Sequence, residues 1–229
     1  MTVVELMSEL NQDPEFVRRR QEQDNHFRVL KEHFEQAQRP LVQALNDVVR
    51  VSVKSVWDLV NTRREYRRAI PVLVAHLRYE YPYRIREGIA RALTVKYAGE
   101  DAYAALVREF RKLPNAVGTA ELGFKWALGN AISVVADRSH FDGVVELARD
   151  KRHGASRDMM VLRLPGLNPI RAVDVLIELL SDDEVAGFAV KAIRKLKARK
   201  AHGQIERLLQ HPNAWVREEA RKALDVLNG

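Results

Sequence analysis

The sequence closes with "AWVREEARKAL" (residues 214–224), and nearly the same pattern stands much earlier as "YRIREGIARAL" (residues 83–93). Both stretches carry Arg-Glu near the middle and end on Ala-Leu. A chain that repeats one pattern at distant positions indicates a repeat architecture, because equivalent positions then meet equivalent surroundings. These two stretches therefore set the register in which the remainder of the sequence is read.

Three further segments fit between these two copies. They are "TAELGFKWALGNAI", which ends on Ile132, "GASRDMMVLRL", which ends on Leu164, and "DDEVAGFAVKAIRKL", whose pattern closes on Ile193. Together with Leu93 and Leu224, these closing residues are separated by 39, 32, 29 and 31 positions. A period of this size predicts one helical hairpin per repeat.

Each interval also contains a segment that predicts the first helix of a hairpin. In one of them Val173, Leu176, Ile177 and Leu180 recur at the spacing of a single helix face. The connecting segments are polar, and Asp182 or Asp183 is the expected N-cap of the helix that follows. A single hairpin cannot bury its apolar face, so stacked neighbours must supply the other wall. The five first helices are predicted at residues 69–77, 102–110, 141–149, 171–180 and 202–209.

The segments "AIPVLVAHL", "RIREGIARAL" and "VREEARKAL" resemble the HEAT-repeat family. The resemblance covers roughly residues 66–229, and more narrowly the chain looks like small bacterial HEAT-repeat proteins of unassigned activity. It implies an all-α, right-handed α-solenoid of about five HEAT-like hairpins. Because this family pattern describes an architecture, it says little about function.

Residues 1–65 differ from the repeats and predict a helical N-terminal cap on the first hairpin. Asp13 followed by Pro14 is a typical helix start. Two short helices are expected after Pro40, in "PLVQALNDV" and "KSVWDLV". The alternative is that this region is a separate dimerising hairpin. An apolar stripe precedes Pro40 and consists of Phe27, Leu30, Phe34 and Ala37.

Composition limits the class of protein. Of the 229 residues, 46% are hydrophobic and 30% charged, which is ordinary for a helical globular chain, and the absence of cysteine fits a reducing compartment. The segment "MTVVELMSELNQDPEF" lacks the basic start and apolar core of a signal peptide, so we do not expect it to be one. No apolar run is long enough to cross a membrane. We therefore expect a cytoplasmic protein; its oligomeric state is open, with a monomer favoured. The formal net charge of +7 favours acidic partners.

The sequence offers little for catalysis, and we expect neither a cofactor nor a metal site. The segment "VGTAELG" (117–123) lacks the Lys-Ser/Thr of a phosphate-binding loop. His26 and His33 share a helix face near Glu22, but zinc would need more ligands at closer spacing. These residues are interpreted as solvated helix positions.

Some helical-repeat proteins of similar size are alkylpurine DNA glycosylases, and that family implies a site that combines tryptophans with an aspartate on a concave basic face. Trp126 is followed one turn later by Asn130, and Asp58 directly follows Trp57, so the motif does not match. The three tryptophans are therefore predicted to be structural, with Trp215 at a hairpin interface.

Basic residues recur at two equivalent positions of the second helices, which usually line the concave surface of such arrays. The first column consists of Arg86, Lys125, Arg157, Ala186 and Arg217. The second column consists of Arg91, Asn130, Leu162, Lys191 and Lys222. One interpretation is a basic stripe that binds an acidic protein surface or phosphates. The other is an internal ladder, in which the arginines pair with acidic turn residues, or a merely solvated face.

These observations favour a non-catalytic scaffold that holds another protein on the concave face or along the edge formed by the turns. A nucleic-acid-binding protein that contacts the phosphate backbone through the basic stripe is the alternative. A base-excision enzyme is a distant third.

Overall fold

The computed structural model describes residue 2 and residues 12–50, 52–60 and 62–229, and these residues form helices and turns without any β-strand. Short 3-10 turns precede or follow several of the helices. The α-helices of this part of the chain are α1 (Pro14–Asn46), α2 (Trp57–Val60), α3 (Ile70–Leu77), α4 (Tyr83–Ala92), α5 (Gly99–Arg111), α6 (Thr119–Val135), α7 (Phe141–Arg149), α8 (Asp158–Leu167), α9 (Pro169–Leu179), α10 (Ala186–Leu196), α11 (His202–Arg207) and α12 (Ala214–Asn228).

The helices from α3 onward form five consecutive hairpins, α3/α4, α5/α6, α7/α8, α9/α10 and α11/α12. The closing residues that set the repeat register are buried in every hairpin, from Leu93 with no exposed surface to Leu224 with 9%. They belong to one continuous apolar core. The predicted all-α solenoid of about five hairpins is therefore confirmed.

The second helix of each hairpin lies in the inner layer of the solenoid. Consecutive second helices, from α4 to α12, pack against one another along the whole array. The first helices pack less closely than the second helices do. Of the described first helices, α3 and α5 pack against each other, whereas α5, α7, α9 and α11 lie further apart. When the helices of one layer are more closely spaced than those of the other, the array curves toward the closely spaced layer. We call the solvent-accessible side of the second helices the inner surface.

The fourth hairpin shows how local pattern and tertiary packing differ. Leu176 and Leu180 are buried as predicted, whereas Val173 and Ile177 are only half-buried. The buried face also includes Ala172, Val175 and Leu179, because α9 packs against its own second helix and against α8. The expected N-cap at Asp182 or Asp183 is wrong, since α10 starts at Ala186 after Val185.

Ion pairs link successive first helices on the outer layer. Most of these side chains are exposed, so each pair contributes about 0–1 kcal/mol to stability. At the helix starts the pairs are Glu100–His140 (2.7 Å), Asp142–Arg171 (2.5 Å) and Asp174–Lys200 (2.5 Å). Toward the helix ends they are Arg111–Glu146 (2.9 Å) and Arg149–Glu178 (2.5 Å).

The N-terminal region packs on the first hairpin through its C-terminal half. Asp13 caps α1 as predicted, because its side chain accepts a hydrogen bond from the Glu15 backbone N–H at 2.9 Å. The expected break at Pro40 is wrong, since α1 continues to Asn46 with Leu41 buried against the core. α1 contacts α3, and α2 contacts α4. The assignment of residues 1–65 as a cap stays a prediction.

Candidate functional site

Arg157, in the first column, lies entirely inside the protein. Its side chain has no exposed surface, and its guanidinium donates to the carbonyls of Ala148 and Gly154 at 3.0 and 2.7 Å. The same group pairs with both carboxylate oxygens of Asp182, at 2.8 and 3.3 Å. Burial acts to raise the pKa of Asp182, but the hydrogen bond and charge of Arg157 offset it, so the pKa is lowered. Arg157 therefore joins the third hairpin to the turn of the fourth.

Arg86 occupies the same position in the first hairpin and also bonds to the next one. Its guanidinium pairs at 3.0 Å with Glu109, whose side chain is 1% exposed. It also lies 4.5 Å from the ring centroid of Phe124. Arg108 and Lys112 complete the neutralisation of Glu109 at 3.3 and 2.9 Å. A buried carboxylate needs such partners, because an uncompensated charge in the interior is strongly destabilising.

The other two basic members of the first column bond to turns of their own hairpins. Lys125, only 2% exposed, donates to the Pro114 carbonyl at 2.8 Å, and burial lowers the pKa of its ammonium. Arg217 donates to the His211 carbonyl at 2.7 Å and to that of Pro212 at 2.9 Å. The first column is thus bonded within the array. The expectation that Lys125 and Arg157 face an open groove is wrong, because their polar groups are buried where internal acceptors satisfy them.

Solvent reaches the second column in every hairpin, whereas in the first column it reaches only Arg86 and Arg217. Arg91, Asn130, Leu162 and Lys191 are half-buried and Lys222 is exposed, one residue from each hairpin. Arg91 pairs with Glu87 at 2.8 Å, and Lys222 pairs with Glu218 at 3.5 Å. No carboxylate oxygen among the described residues lies within 4 Å of the Lys191 ammonium, which instead lies 6.0 Å from the Trp215 ring centroid. The inner surface therefore presents a mixed set of charges.

Two tryptophans, Trp57 on α2 and Trp215 on α12, pack into the spaces left by glycines of the neighbouring hairpin. A Cβ atom added at Gly187 would lie 2.1 Å from the indole of Trp215, and one added at Gly88 would lie 3.0 Å from Trp57. A cation covers each indole, because Arg84 lies 3.9 Å from the Trp57 ring and Lys191 stands over Trp215. The prediction of a structural role is confirmed for these two residues, and Trp215 indeed lies at the interface between α10 and α12.

Trp126 is different, because it stands at the centre of the inner surface and is 37% exposed. The Arg91 guanidinium, held by Glu87, lies 5.4 Å from its ring centroid. On the side of the next hairpin, the Trp126 side chain lies beside Asp158, the first residue of α8. The pKa of Asp158 is raised, chiefly by burial. An exposed indole beside a half-buried carboxylate is the most distinctive chemistry of this surface.

Sequence reasoning missed this pair, because it looked for an aspartate on the helix of Trp126 and found Asn130 one turn later. The repeat register contains the missing signal. Trp126 and Asp158 hold the same position in successive hairpins, each six residues before the closing residue. Equivalent positions of stacked repeats are neighbours in space, so the register alone would have paired them.

Other kinds of site are not found in the part of the chain that the structure describes. No group of three or more His, Asp or Glu side chains is placed to hold a metal ion. None of the described helices combines the length and apolar character needed to span a bilayer.

No family model and no curated protein matches this sequence. Among solved structures, it is similar to an engineered protein at 18% identity and a TM-score of 0.44, over 82% of this chain and 96% of the other. It is also similar to a designed armadillo repeat protein at 18% identity and a TM-score of 0.42, over 82% of this chain and 99% of the other. These likenesses concern the fold alone. The chain is an all-α solenoid of stacked helical hairpins.

Proposed function

We propose that the chain is a non-catalytic scaffold of the HEAT-repeat type that holds a partner protein along its inner surface. The supporting observation is the second column, which places one solvent-accessible side chain from each of five stacked hairpins on one continuous face. Solenoids of this kind use such extended surfaces for binding. Trp126 supplies the exposed aromatic centre that protein interfaces favour.

The charges of the inner surface favour a protein partner over a polyanion. Asp158 and Glu218 lie among the cations of the second column, so a uniformly negative backbone would meet repulsion along the same path. A folded protein or a peptide can match alternating charges. Lys191, which has no carboxylate partner among the described residues, would take an acidic residue of the partner, in line with the expected acidic surface.

Site-specific photo-cross-linking tests this proposal. A photoreactive benzoyl-phenylalanine is placed at Asn130, on the inner surface, and separately at Ala104, an exposed position of the outer helix α5. After irradiation in a lysate of the host, adducts are identified by mass spectrometry. We expect one predominant protein adduct from Asn130 and none from Ala104, with unchanged melting temperatures for both variants. Equal labelling from both positions, or none from Asn130, would overturn the proposal.

Nucleic-acid binding is the second candidate, and a different surface favours it. The turns that lead from each second helix to the next hairpin lie along one edge. Exposed cations in these turns have no carboxylate oxygen within 4 Å among the described residues. They are Lys96, Arg138, Lys197 and Arg199, and a further such cation, Arg63, lies in the segment between α2 and the first hairpin. A row of uncompensated cations is the footprint expected for phosphate contacts.

A duplex-DNA titration separates the two candidates. If DNA binds along this edge, affinity should fall steeply with salt, and Arg138→Glu with Arg199→Glu should weaken it while Lys191→Glu should not. The scaffold proposal predicts weak binding of random duplex DNA that these variants change little. Incubation with alkylated DNA tests the third function, since the contact between Trp126 and Asp158 would favour base excision and a non-catalytic scaffold releases no base.

A further inference from the structure

Asp158 differs from the carboxylates that hold the same repeat position. In the first hairpin Glu87 pairs with Arg91 four residues later, at 2.8 Å, and in the fifth Glu218 pairs with Lys222, at 3.5 Å. In the third hairpin the residue four positions after Asp158 is Leu162. The third hairpin therefore has the carboxylate of the pair found in the first and fifth hairpins, but not its basic partner.

No other residue takes the place of that base. No Lys, Arg or His nitrogen in the described chain lies within 4 Å of the Asp158 carboxylate, which accepts a hydrogen bond from its neighbouring Met159 N–H and lies beside Trp126. The carboxylate is half-buried, and this burial raises its pKa. A carboxylate that loses water without gaining a cation is energetically unfavourable. The Asp158 carboxylate therefore favours an external positive charge beside it.

The neighbouring indole suits the same ligand. Trp126 presents 37% of its surface to solvent, and tryptophan is the aromatic side chain that attracts cations best. Arg91 already lies near this ring, but its charge is neutralised by Glu87 at 2.8 Å. A lysine or arginine side chain would pack its aliphatic stem or its planar head on the indole and place its charge at Asp158.

We propose that Trp126 and Asp158 form a binding site for a lysine or arginine side chain of the partner protein, at the centre of the inner surface. This inference rests on the proposed scaffold function and names the chemistry of its central contact. Lys191 lies on the fourth hairpin, next to the third hairpin that holds Asp158, and would pair with a carboxylate of the partner. The partner would then present a cation to the third hairpin and a carboxylate to the fourth. A phosphate would be repelled by Asp158, and a single carboxylate is too few ligands for a metal ion.

The site can be tested with small probes before any partner is known. The probes are Nα-acetyl-lysine amide and Nα-acetyl-arginine amide, and the readout is the indole N–H region of a nitrogen–proton correlation spectrum. Trp126→Phe assigns the Trp126 signal. We expect that signal to move with millimolar affinity, because one exposed ion pair and one cation–π contact are weak. Trp215, 38% exposed and already covered by Lys191, is the internal control and should not move.

Two variants separate a cation site from a general effect. Asp158→Asn can keep the hydrogen bond from the Met159 N–H but removes the charge, and it should lower the affinity for both probes by about fivefold. Leu162→Lys restores the internal pair found in the first and fifth hairpins, and it should also block the probes while leaving the melting temperature unchanged or raised. Nα-acetyl-norleucine amide, the neutral analogue, should not shift Trp126.

The proposal falls if neither cationic probe moves the Trp126 signal, if the neutral probe moves it equally, or if Asp158→Asn binds the probes unchanged. It also falls if adenosine monophosphate moves Trp126 more than the cationic probes do, since that would indicate base stacking and nucleic acid. Cross-linking at Asn130 is independent of these titrations. An adduct there without any cation effect would leave the scaffold function standing and refute only the cation site.

Discussion

Replacing Arg157 by methionine tests whether the first column holds the hairpins together. Methionine fills the space of the arginine stem without its charge, so the change isolates the polar contacts. It leaves Asp182, which is 6% exposed, without its cation, and it removes the donor from two carbonyls. Breaking a buried ion pair by removing one partner costs about 3–5 kcal/mol. A chain of this length loses about 2–4 °C per kcal/mol, so the melting temperature should fall by roughly 6–20 °C.

The matched control is Arg171→Met. Arg171 also joins an aspartate of a neighbouring hairpin, Asp142 at 2.5 Å, but both side chains are exposed. Such a pair is worth about 0–1 kcal/mol, so the control should shift the melting temperature by only a few degrees. Thermal unfolding followed by far-ultraviolet circular dichroism measures both variants.

A double variant, Arg157→Met with Asp182→Leu, completes the test. Replacing both members of a buried pair by apolar residues is often nearly neutral, so the double variant should recover most of the lost stability. If Arg157→Met costs no more than Arg171→Met, or if the double variant is no more stable than Arg157→Met alone, the buried-ladder reasoning is refuted.

Three further predictions concern the register, the last interface and the effect of pH. Leu93→Ala should cost about 2–5 kcal/mol by urea unfolding, as truncation in a packed core does, and a loss below about 0.5 kcal/mol would show that the register is wrong. Gly187→Ala should lower the melting temperature, because the new methyl group collides with the Trp215 indole, and Trp215→Leu in the same chain should relieve it. The lowered pKa of Asp182 means that its pairing stabilises the protein above the unfolded-state value of about 3.9 and that this contribution is lost as pH falls through the folded value. The fall in melting temperature on acidification should therefore be smaller for the double variant at Arg157 and Asp182 than for the native chain.

Much of the fold follows from the sequence, because a repeat meets the same surroundings in every copy. Leu93 and Leu224 are buried for the same reason, and their spacing places the hairpins between them. Local rules failed where tertiary contacts prevailed. Asp182 resembles an N-cap, but its carboxylate pairs with Arg157 of another hairpin. Pro40 resembles a helix stop, but it lies within α1, and the next turn of α1 packs on the core.

The candidate site was less accessible to sequence reasoning. Both basic columns show the same residue type at regular spacing, and spacing alone does not say which column points inward. The internal acceptors of Arg157 are backbone carbonyls and a turn aspartate, and they become neighbours only after the hairpins stack. The pairing of Trp126 with Asp158 likewise joins two hairpins. Contacts across repeats are predictable only when equivalent positions are compared between copies rather than along one helix.

If the second column contacts a partner while the first column stabilises the stacked hairpins, two lysines of one helix should differ in their effect on binding. Lys191 and Lys195 lie on the same helix, α10, and neither has a carboxylate oxygen within 4 Å in the described structure, but only Lys191 belongs to the second column. Each is changed to Glu in the chain that carries the photoreactive group at Asn130. We expect Lys191→Glu to reduce the cross-linked adduct about fivefold or more at an unchanged melting temperature, and Lys195→Glu to leave it intact. Equal adduct yields from the two variants would contradict the account.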